Sequence, residues 1–365
     1  MTSNMVPLFS LANWKNGLAF KQIHFSEKGK PVIKIAELKN GITAQTARTQ
    51  QEFDSAVHLT KGDMVFSWSG NPETSIDVFW YDLPDGWLNQ HIFKVTPNSG
   101  VDKLYLYYLL KFLKPRFTAI ASNKQTTGLG HVTVKDMKEM LVPLPEITVQ
   151  QAIGSYLHTI DQKVYINNKI NDNLQQQAQA IYTAMFIANA DPAWAQGHLS
   201  DLITVRYGKD HKKLADGAYP VFGSGGIMRY VERPLYTGES VLIPRKGTLN
   251  NVMYVNEPFW SVDTMFFTEM KIPNVAKFVF HFVKGKDLAS MNAGSAVPSM
   301  TTDILNALEL AIPSTDRLEE FESVVAPMYQ TMQANNRESA KLAELRDTLL
   351  PKLMAGEIDV SSIQF

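Results

Sequence analysis

The chain has 365 residues, of which 45% are hydrophobic, so it is long enough for two or three domains that each bury a core. It contains no cysteine, which excludes disulfides and thiolate metal sites and favours a reducing compartment. The net charge is −1, with a surplus of positive charge in residues 1–146 and of negative charge in residues 314–365. Any affinity for a polyanion must therefore come from local basic patches or from basic partners.

Neither a membrane span nor a secretory leader is predicted. The longest apolar run, residues 104–110, is far shorter than the roughly 20 residues that cross a bilayer. Near the start of the chain, Trp14, Lys15 and Asn16 interrupt the apolar pattern that a leader peptide requires. We therefore expect a cytoplasmic protein with no membrane partner.

Four segments follow one another along the chain. Residues 1–146 are β-rich and punctuated by turns, residues 147–190 have a helical pattern, residues 191–313 are again β-rich, and residues 314–365 are again helical. Within the two β-rich segments, the aromatic-rich stretches 104–114 and 276–286 predict buried helices.

The second half of the chain repeats the first. A shift of 168 residues places Leu144-Pro145 on Ile312-Pro313, and Asn167-Asn168 on Asn335-Asn336, without a gap. In the first helical segment, alternating steps of four and three residues from Ile153 meet apolar side chains at eight of ten positions. The same steps from Phe321 meet them at seven of ten, and this spacing is typical of coiled coils.

Two asparagines, Asn167 and Asn335, occupy equivalent positions on these apolar seams. They either lie at an exposed end of the seam or form a buried polar pair that fixes the register and orientation of the helices. The predicted fold class is α+β, with two similar β-rich domains alternating with two long helices that pair as an antiparallel coiled coil.

Two motifs carry a resemblance to a known family. The segment VPLPE at 142–146 and the segment LRDTLLPKLMAGEIDV at 345–360 resemble the type I restriction–modification specificity subunits, and the likeness extends over nearly the whole chain. In that family's layout, residues 1–146 and 191–313 are target-recognition domains, and residues 147–190 and 314–365 are conserved helical regions. One loop departs from the pattern: Ser67-Trp68-Ser69-Gly70 stands where the second domain has the more typical Pro244-Arg245-Lys246-Gly247.

The resemblance implies a bipartite, asymmetric target in double-stranded DNA, with one half bound by each domain. It also implies two DNA methyltransferase subunits docked on the helices, joined by restriction and translocase subunits. S-adenosylmethionine, ATP and Mg are expected on those partner subunits, and no cofactor is expected on this chain.

The residues themselves give no sign of catalysis. The sequence has no phosphate-binding loop with a Walker pattern, no Asn/Asp-Pro-Pro-aromatic signature of an amino-methyltransferase, and no histidine spacing that suits a metal. The glycines around Ser224 are those of a turn, and Glu37-x-Lys39 lacks the upstream aspartate of a nuclease. We therefore predict a non-catalytic subunit with no catalytic residues and no metal site.

Base-edge recognition requires Arg or Lys for guanine, Asn or Gln for adenine, and small apolar groups for the thymine methyl, which are best held on loops. In the first domain the predicted DNA-binding residues are Lys15, Asn16, Lys34, Lys39, Trp68, Asn71, Asn89, Gln90, His91, Thr126 and Thr127. In the second domain they are Arg206, Lys209, Ser224, Arg229, Arg245, Lys246, Asn250 and Asn251.

Other functions remain open at this point. The same layout would suit a non-enzymatic scaffold whose two heads bind proteins, or the specificity subunit of a complex that only methylates. An unrecognised hydrolase is disfavoured because no catalytic constellation is present.

Overall fold

The computed structural model describes residues 4–125, 128–291 and 299–360, so the predicted contacts Thr126 and Thr127 lie outside the described residues. The chain divides into two compact units. Unit 1 comprises residues 1–166 and 337–365, and unit 2 comprises residues 167–336. Each long helix therefore contributes to both units.

The elements of the first half form most of unit 1. In chain order they are β1 (Asn4–Pro7), β2 (Ala12–Asn16), β3 (Lys30–Ile33), α1 (Ile35–Asn40), β4 (Arg48–Thr49), β5 (His58–Leu59), β6 (Met64–Ser67), β7 (Ser69–Gly70), α2 (Pro72–Ser75), β8 (Asp77–Trp80), β9 (Gly86–Leu88), β10 (Ile92–Pro97), α3 (Lys103–Phe112), α4 (Lys114–Asn123), β11 (Gly130–His131), α5 (Val134–Glu139), β12 (Leu141–Leu144) and α6 (Ile147–Thr183).

The elements of the second half follow a π-helical turn, Ala184–Ala188, that ends the first long helix. In chain order they are β13 (Ala195–His198), α7 (Leu199–Leu202), β14 (Ile203–Tyr207), β15 (Asp216–Gly223), β16 (Gly226–Val231), β17 (Glu239–Pro244), β18 (Met253–Asn256), β19 (Trp260–Ser261), β20 (Met265–Met270), α8 (Ala276–Lys284), α9 (Thr302–Asn306), β21 (Glu309–Ile312) and α10 (Thr315–Met354).

The two units share one sheet topology. A four-stranded sheet has the order β2-β10-β6-β8 in unit 1 and β14-β20-β17-β18 in unit 2. A second sheet contains a parallel pair in each unit, β3 with β9 and β15 with β19. A two-stranded pair, β1 with β12 or β13 with β21, lies directly before the long helix. The repeat inferred from the sequence is therefore a repeat of structure.

The predicted buried helices correspond to α3 and α8, which pack against the four-stranded sheets. Tyr105, Leu106 and Leu109 of α3 belong to the core of unit 1, and Phe278 and Val279 of α8 belong to that of unit 2. All five are at most 2% exposed, and burial of a large apolar side chain contributes roughly 1.5–3 kcal/mol, so these helices anchor the sheets.

The two long helices follow the predicted seam. Ile153, Leu157 and Ile160 of α6 are buried, as are Phe321 and Val325 of α10. The Ser314 hydroxyl accepts a hydrogen bond from the Arg317 N–H at the start of α10, and Gly356 follows the end of that helix with φ 72°. A hydroxyl at the start of the helix and a glycine with positive φ after its end are the usual caps.

The helices run in opposite directions within each unit. In unit 1, Asp161 of α6 pairs with Arg346 of α10 (2.7 Å), and Lys163 pairs with Glu338 (3.3 Å). In unit 2, the Asn171 side chain reaches the backbone of Met332 (3.3 Å). Residues later in α6 thus contact residues earlier in α10, and the predicted antiparallel pairing is confirmed.

The terminal motif at 345–360 has a structural role in unit 1. The Arg346 guanidinium donates to Asp161 Oδ1, and the other oxygen of that carboxylate accepts from the Tyr108 hydroxyl (2.7 Å). Leu353, Met354 and Val360 are at most 4% exposed and belong to the same core as α3. The motif therefore completes the core of the first unit.

A buried histidine in unit 2 makes stability depend on pH. His281 of α8 is 0% exposed, its Nδ1 lies 2.8 Å from Gln179 Oε1, and its Nε2 lies 2.9 Å from the Tyr329 hydroxyl. Burial, helped by nearby Lys284, lowers the pKa of His281 to about 4. As the pH falls from about 6.5 to 4, His281 takes up a proton in the unfolded chain but not in the folded chain. We therefore expect the free energy of unfolding to fall by about 3 kcal/mol over that window.

Urea unfolding at a series of pH values measures this loss. The variant His281→Gln should have a shallower dependence between pH 6.5 and 4 than the parent chain, whatever its stability at neutral pH. Equal slopes in the two proteins would contradict the assignment.

Candidate nucleic-acid interface

One corner of the four-stranded sheet in unit 1 collects several predicted DNA-binding residues. Here β2 ends at Asn16, opposite Phe93, and β6 ends at Ser67, opposite Ile92. The chain leaves β6 through Trp68 and enters β10 through Gln90 and His91. Residues far apart in sequence thus meet because three strand ends coincide. We call Asn16, Trp68, Gln90 and His91 the Trp68 corner.

Side-chain contacts fix the geometry of the Trp68 corner. The Trp68 indole N–H donates to Asn16 Oδ1 (3.0 Å), and its ring meets the His91 ring edge-on at 5.6 Å. Gln90 Nε2 lies 3.3 Å from His91 Nε2. Asn16 and His91 are exposed, whereas Trp68 is half-buried. The corner thus presents an amide and an imidazole on an aromatic support, which suits hydrogen bonding to base edges.

The other predicted residues of unit 1 lie apart from this contact network or have structural partners. Asn89 precedes Gln90, and its backbone N–H donates to Ile33 O. The Asn71 side chain caps α2 by accepting from the N–H groups of Glu73 and Thr74, so its oxygen is already engaged. Lys15 pairs with Asp54 (3.4 Å) across an exposed surface.

Lys34 and Lys39 lie on the α1 segment and are both exposed. The Lys34 ammonium lies 5.7 Å from the ring centre of Phe25.

The equivalent corner of unit 2 is built around Arg245. Its guanidinium lies 5.4 Å from the ring centre of Tyr207, and its Nη1–H donates to the backbone oxygen of Asp263 (3.1 Å). The Asn251 amide donates to Ser224 O (2.8 Å), which holds the turn after β15 close to the same loop. We call Tyr207, Ser224, Arg245, Lys246 and Asn251 the Arg245 corner.

The remaining predicted residues of unit 2 have partners within the fold or lie elsewhere. Arg206 pairs with Glu269 (3.0 Å) and Arg229 with Asp216 (2.9 Å). Asn250 donates to Asp287 (3.0 Å), and this hydrogen bond holds the pKa of that carboxyl below its usual range. The Lys209 side chain is exposed, and its carbonyl accepts from the Trp260 indole.

The two corners are equivalent by backbone hydrogen bonding. The Trp68 N–H donates to His91 O, as the Arg245 N–H donates to Thr264 O. The carbonyl of Trp68 accepts from Val132 N–H, and that of Arg245 from Met300 N–H, both at 2.9 Å. One scaffold therefore offers an indole in unit 1 where it offers a guanidinium in unit 2.

This equivalence identifies a residue that the sequence argument missed. Tyr207 pairs with Phe266 as Asn16 pairs with Phe93, so the two occupy the same place at the end of the first sheet strand. Tyr207 is 52% exposed and supports Arg245. The sequence contains the signal, because Gly208 matches Gly17 in the repeat and Asn16, the residue before Gly17, is among the predicted contacts.

The seam asparagines lie in a polar layer between the two long helices. Asn167 is 0% exposed. Its Nδ2 lies 3.5 Å from the backbone oxygen of Asn335, which is the longest distance at which a hydrogen bond forms. The Asn335 side chain donates instead to Asn171 Oδ1 (2.9 Å), and the Asn171 amide donates to Asn336 Oδ1 (2.8 Å). The polar layer is thus a network in place of a simple pair.

Residues 4–125, 128–291 and 299–360 contain neither a candidate metal site nor a helix that could span a membrane. In these ranges no cluster of three or more His, Asp or Glu side chains could hold a metal ion. Within the same ranges, none of the helices combines the length and apolar character needed to cross a membrane.

Comparison with known proteins matches residues 2–176 and 193–342 to the type I restriction modification DNA specificity domain. The chain belongs to this family. Specificity subunits of type I systems are non-catalytic DNA-recognition subunits, and catalysis lies on the methyltransferase and restriction subunits.

Individual relatives of the specificity-domain family are distant in sequence. The type I restriction enzyme MjaIX specificity subunit of Methanocaldococcus jannaschii is 21% identical over 75% of this chain and 73% of its own length. The HindI specificity subunit of Haemophilus influenzae is 32% identical, over 36% of this chain and 25% of its own. The crystal structure of a type I S subunit from M. genitalium has a TM-score of 0.63 at 19% identity, covering 97% of this chain and 96% of that one, and shares the fold.

Proposed function

We propose that this chain selects the DNA target of a type I restriction–modification enzyme by binding a bipartite, asymmetric sequence, one half per unit. The observation that carries the proposal is the pair of equivalent corners with different side chains. Because the scaffold is repeated, both corners present their groups to a duplex in the same way. Because Trp68 and Arg245 differ in chemistry, the two halves of the target differ in sequence.

The partners follow from the same assignment. Two DNA methyltransferase subunits would dock on the paired helices α6 and α10, and restriction and translocase subunits would join them. S-adenosylmethionine, ATP and Mg would then be held by these partners, and the assembly would work in the cytoplasm of a prokaryote. Support comes from the family membership and from the exposed faces that both long helices keep outside their seam.

Reconstitution tests this function. The purified chain alone should neither methylate nor cut DNA, whereas the chain with its methyltransferase partner should methylate adenine within one gapped sequence. Co-purification with mass spectrometry identifies the partner, and sequencing of modified bases gives the target. Methyl transfer by the partner-free chain, or methylation without a gapped sequence, would overturn the proposal.

Arg245→Ala tests the second corner. If the guanidinium contacts a guanine, affinity should fall by about 1–3 kcal/mol for targets with that base, and discrimination at one position should be lost. If it contacts a phosphate, the loss should be uniform across sequences, with a salt dependence lower by about one unit. Titration of labelled duplexes at several salt concentrations separates the two.

Arg233→Ala is the matched control, because Arg233 is an exposed arginine of the same unit outside the corner. The affinity of Arg233→Ala for DNA should stay near that of the parent chain. Unchanged binding of Arg245→Ala at every salt concentration would exclude Arg245 from the interface.

A further inference from the structure

The scaffolds of the two units diverge at one place. In unit 1, β3 pairs in parallel with β9 through Val32 and Trp87, and in unit 2, β15 pairs in parallel with β19 through Val221 and Trp260. The next antiparallel neighbour of this strand is β4 in unit 1 and β16 in unit 2. The segment between the strand and that neighbour contains the short helix α1 in unit 1 and is a tight two-residue turn in unit 2.

In both units this segment lies against the corner loop. A Cβ on Gly70, two residues after Trp68, would lie 3.5 Å from Ile35 Cδ1 at the start of α1. A Cβ on Gly247, two residues after Arg245, would lie 2.8 Å from Ser224 Oγ in the turn between β15 and β16. The divergent segment therefore occupies the same position beside both corners.

In unit 2 the two-residue turn closes a two-stranded ribbon formed by β15 and β16, and this ribbon has a bulge near its tip. Val221 pairs with Arg229 and Phe222 with Ile227, which leaves Met228 as the extra residue. A bulge redirects a side chain out of the ladder, and bulges are common beside functional sites.

The bulged residue is also exposed. Met228 is 61% exposed and the neighbouring Ile227 is 51% exposed, although both are apolar. A Cβ on Gly223 would lie 2.5 Å from Met228 Sδ, so glycine there makes room for the thioether.

In unit 1 the segment is a helix with a charged outer face. The Glu37 side chain turns inward, accepting from the Lys34 N–H (3.0 Å), and is 8% exposed. Lys34 and Lys39 point to solvent, and Gly41 ends the helix with φ 77°. The unit thus offers cations at the place where unit 2 offers apolar groups.

We infer that this segment is the specificity-determining element of each unit, entering the major groove as the bulged ribbon in unit 2 and as α1 in unit 1. The major groove admits either a helix or a two-stranded ribbon. Met228 and Ile227 have the chemistry to contact a thymine methyl, and Lys39 has the chemistry to contact guanine O6 and N7. The inference rests on the proposed function. It adds a second set of DNA contacts, which lie beside those of the two corners.

Selection of bound duplexes from a randomised pool, using the chain assembled with its methyltransferase partner, tests unit 2. Met228→Ala should reduce the preference for thymine at one position of one half-target by about fivefold or more and leave the other half unchanged. Ile187→Ala is the control, because Ile187 is 62% exposed in the same unit but lies after α6, away from the corner. Thermal unfolding confirms that both variants fold, and Ile227→Ala provides a second probe of the ribbon.

The same selection with Lys39→Ala tests unit 1. It should lower the preference for guanine at one position of the other half-target, whereas Lys135→Ala on the exposed face of α5 should not. Unchanged preferences in Met228→Ala, Ile227→Ala and Lys39→Ala, with a parent complex that still selects a gapped sequence, would overturn this inference alone. A parent complex that selects no sequence would overturn the proposed function.

Discussion

Replacing Lys277 by methionine is expected to lower the free energy of unfolding by about 3–5 kcal/mol. The Lys277 ammonium is the cation between two carboxylates, donating to Glu239 (2.7 Å) and Glu322 (2.6 Å), and the residue is 3% exposed. Methionine fills the same space but leaves two partly buried carboxylates, 30% and 20% exposed, facing each other with no cation between them. Urea unfolding measures the loss.

Two variants separate the charge effect from a packing effect. Lys284→Met, on the same helix, removes the cation of an exposed lysine whose pKa is lowered by partial desolvation, so it should cost far less than Lys277→Met. Adding Glu322→Gln to Lys277→Met should recover part of the loss, because one of the stranded charges is gone. A loss below about 1 kcal/mol in Lys277→Met would show that water reaches the carboxylates.

Gly208→Ala is expected to destabilise unit 2 by about 3 kcal/mol or more and to weaken DNA binding through the Arg245 corner. A Cβ at this position would lie 2.0 Å from the backbone oxygen of Val262, and backbone cannot rotate aside as a side chain can. The end of β14, which positions Tyr207, must therefore move. Urea unfolding and duplex titration measure the two effects.

The matched control is Gly225→Ala, because a Cβ there meets no atom within 4 Å. It should leave stability nearly unchanged. Gly17→Ala, where the Cβ would lie 2.2 Å from Asn89 O, should disturb the other half of the target. Stability of Gly208→Ala equal to that of Gly225→Ala would disprove the close approach.

The sequence predicted the helices and the repeat well, because both depend on local periodicity. The seam from Ile153 and the seam from Phe321 could be counted directly, and a constant shift related the two. The sequence could not predict that Arg346, a polar residue on the seam, forms an ion pair with Asp161, because that pairing depends on how two distant segments align.

The candidate interface was predicted less completely. Asn16, Trp68 and Arg245 could be selected because they stand at strand ends within two residues of a glycine. Asn71 and Asn250 have the same composition signal, yet their side chains serve a helix cap and a loop. Sequence cannot tell such a structural asparagine from one available to DNA, because both sit in turns. The bulge at Met228 arises from a register shift that has no local signature.

The division into units has a consequence for the order of events at the ribosome. Unit 2 is one continuous stretch, residues 167–336, whereas unit 1 needs residues 337–365 as well as its first 166. Leu353, Met354 and Val360 complete the core of the unit whose synthesis began first. At about 5–20 residues per second, that last stretch takes about 1–6 seconds to emerge. Unit 2 can therefore fold first, although its synthesis begins later. Unit 1 keeps an incomplete core until its last residues emerge, and a chaperone could bind that exposed core.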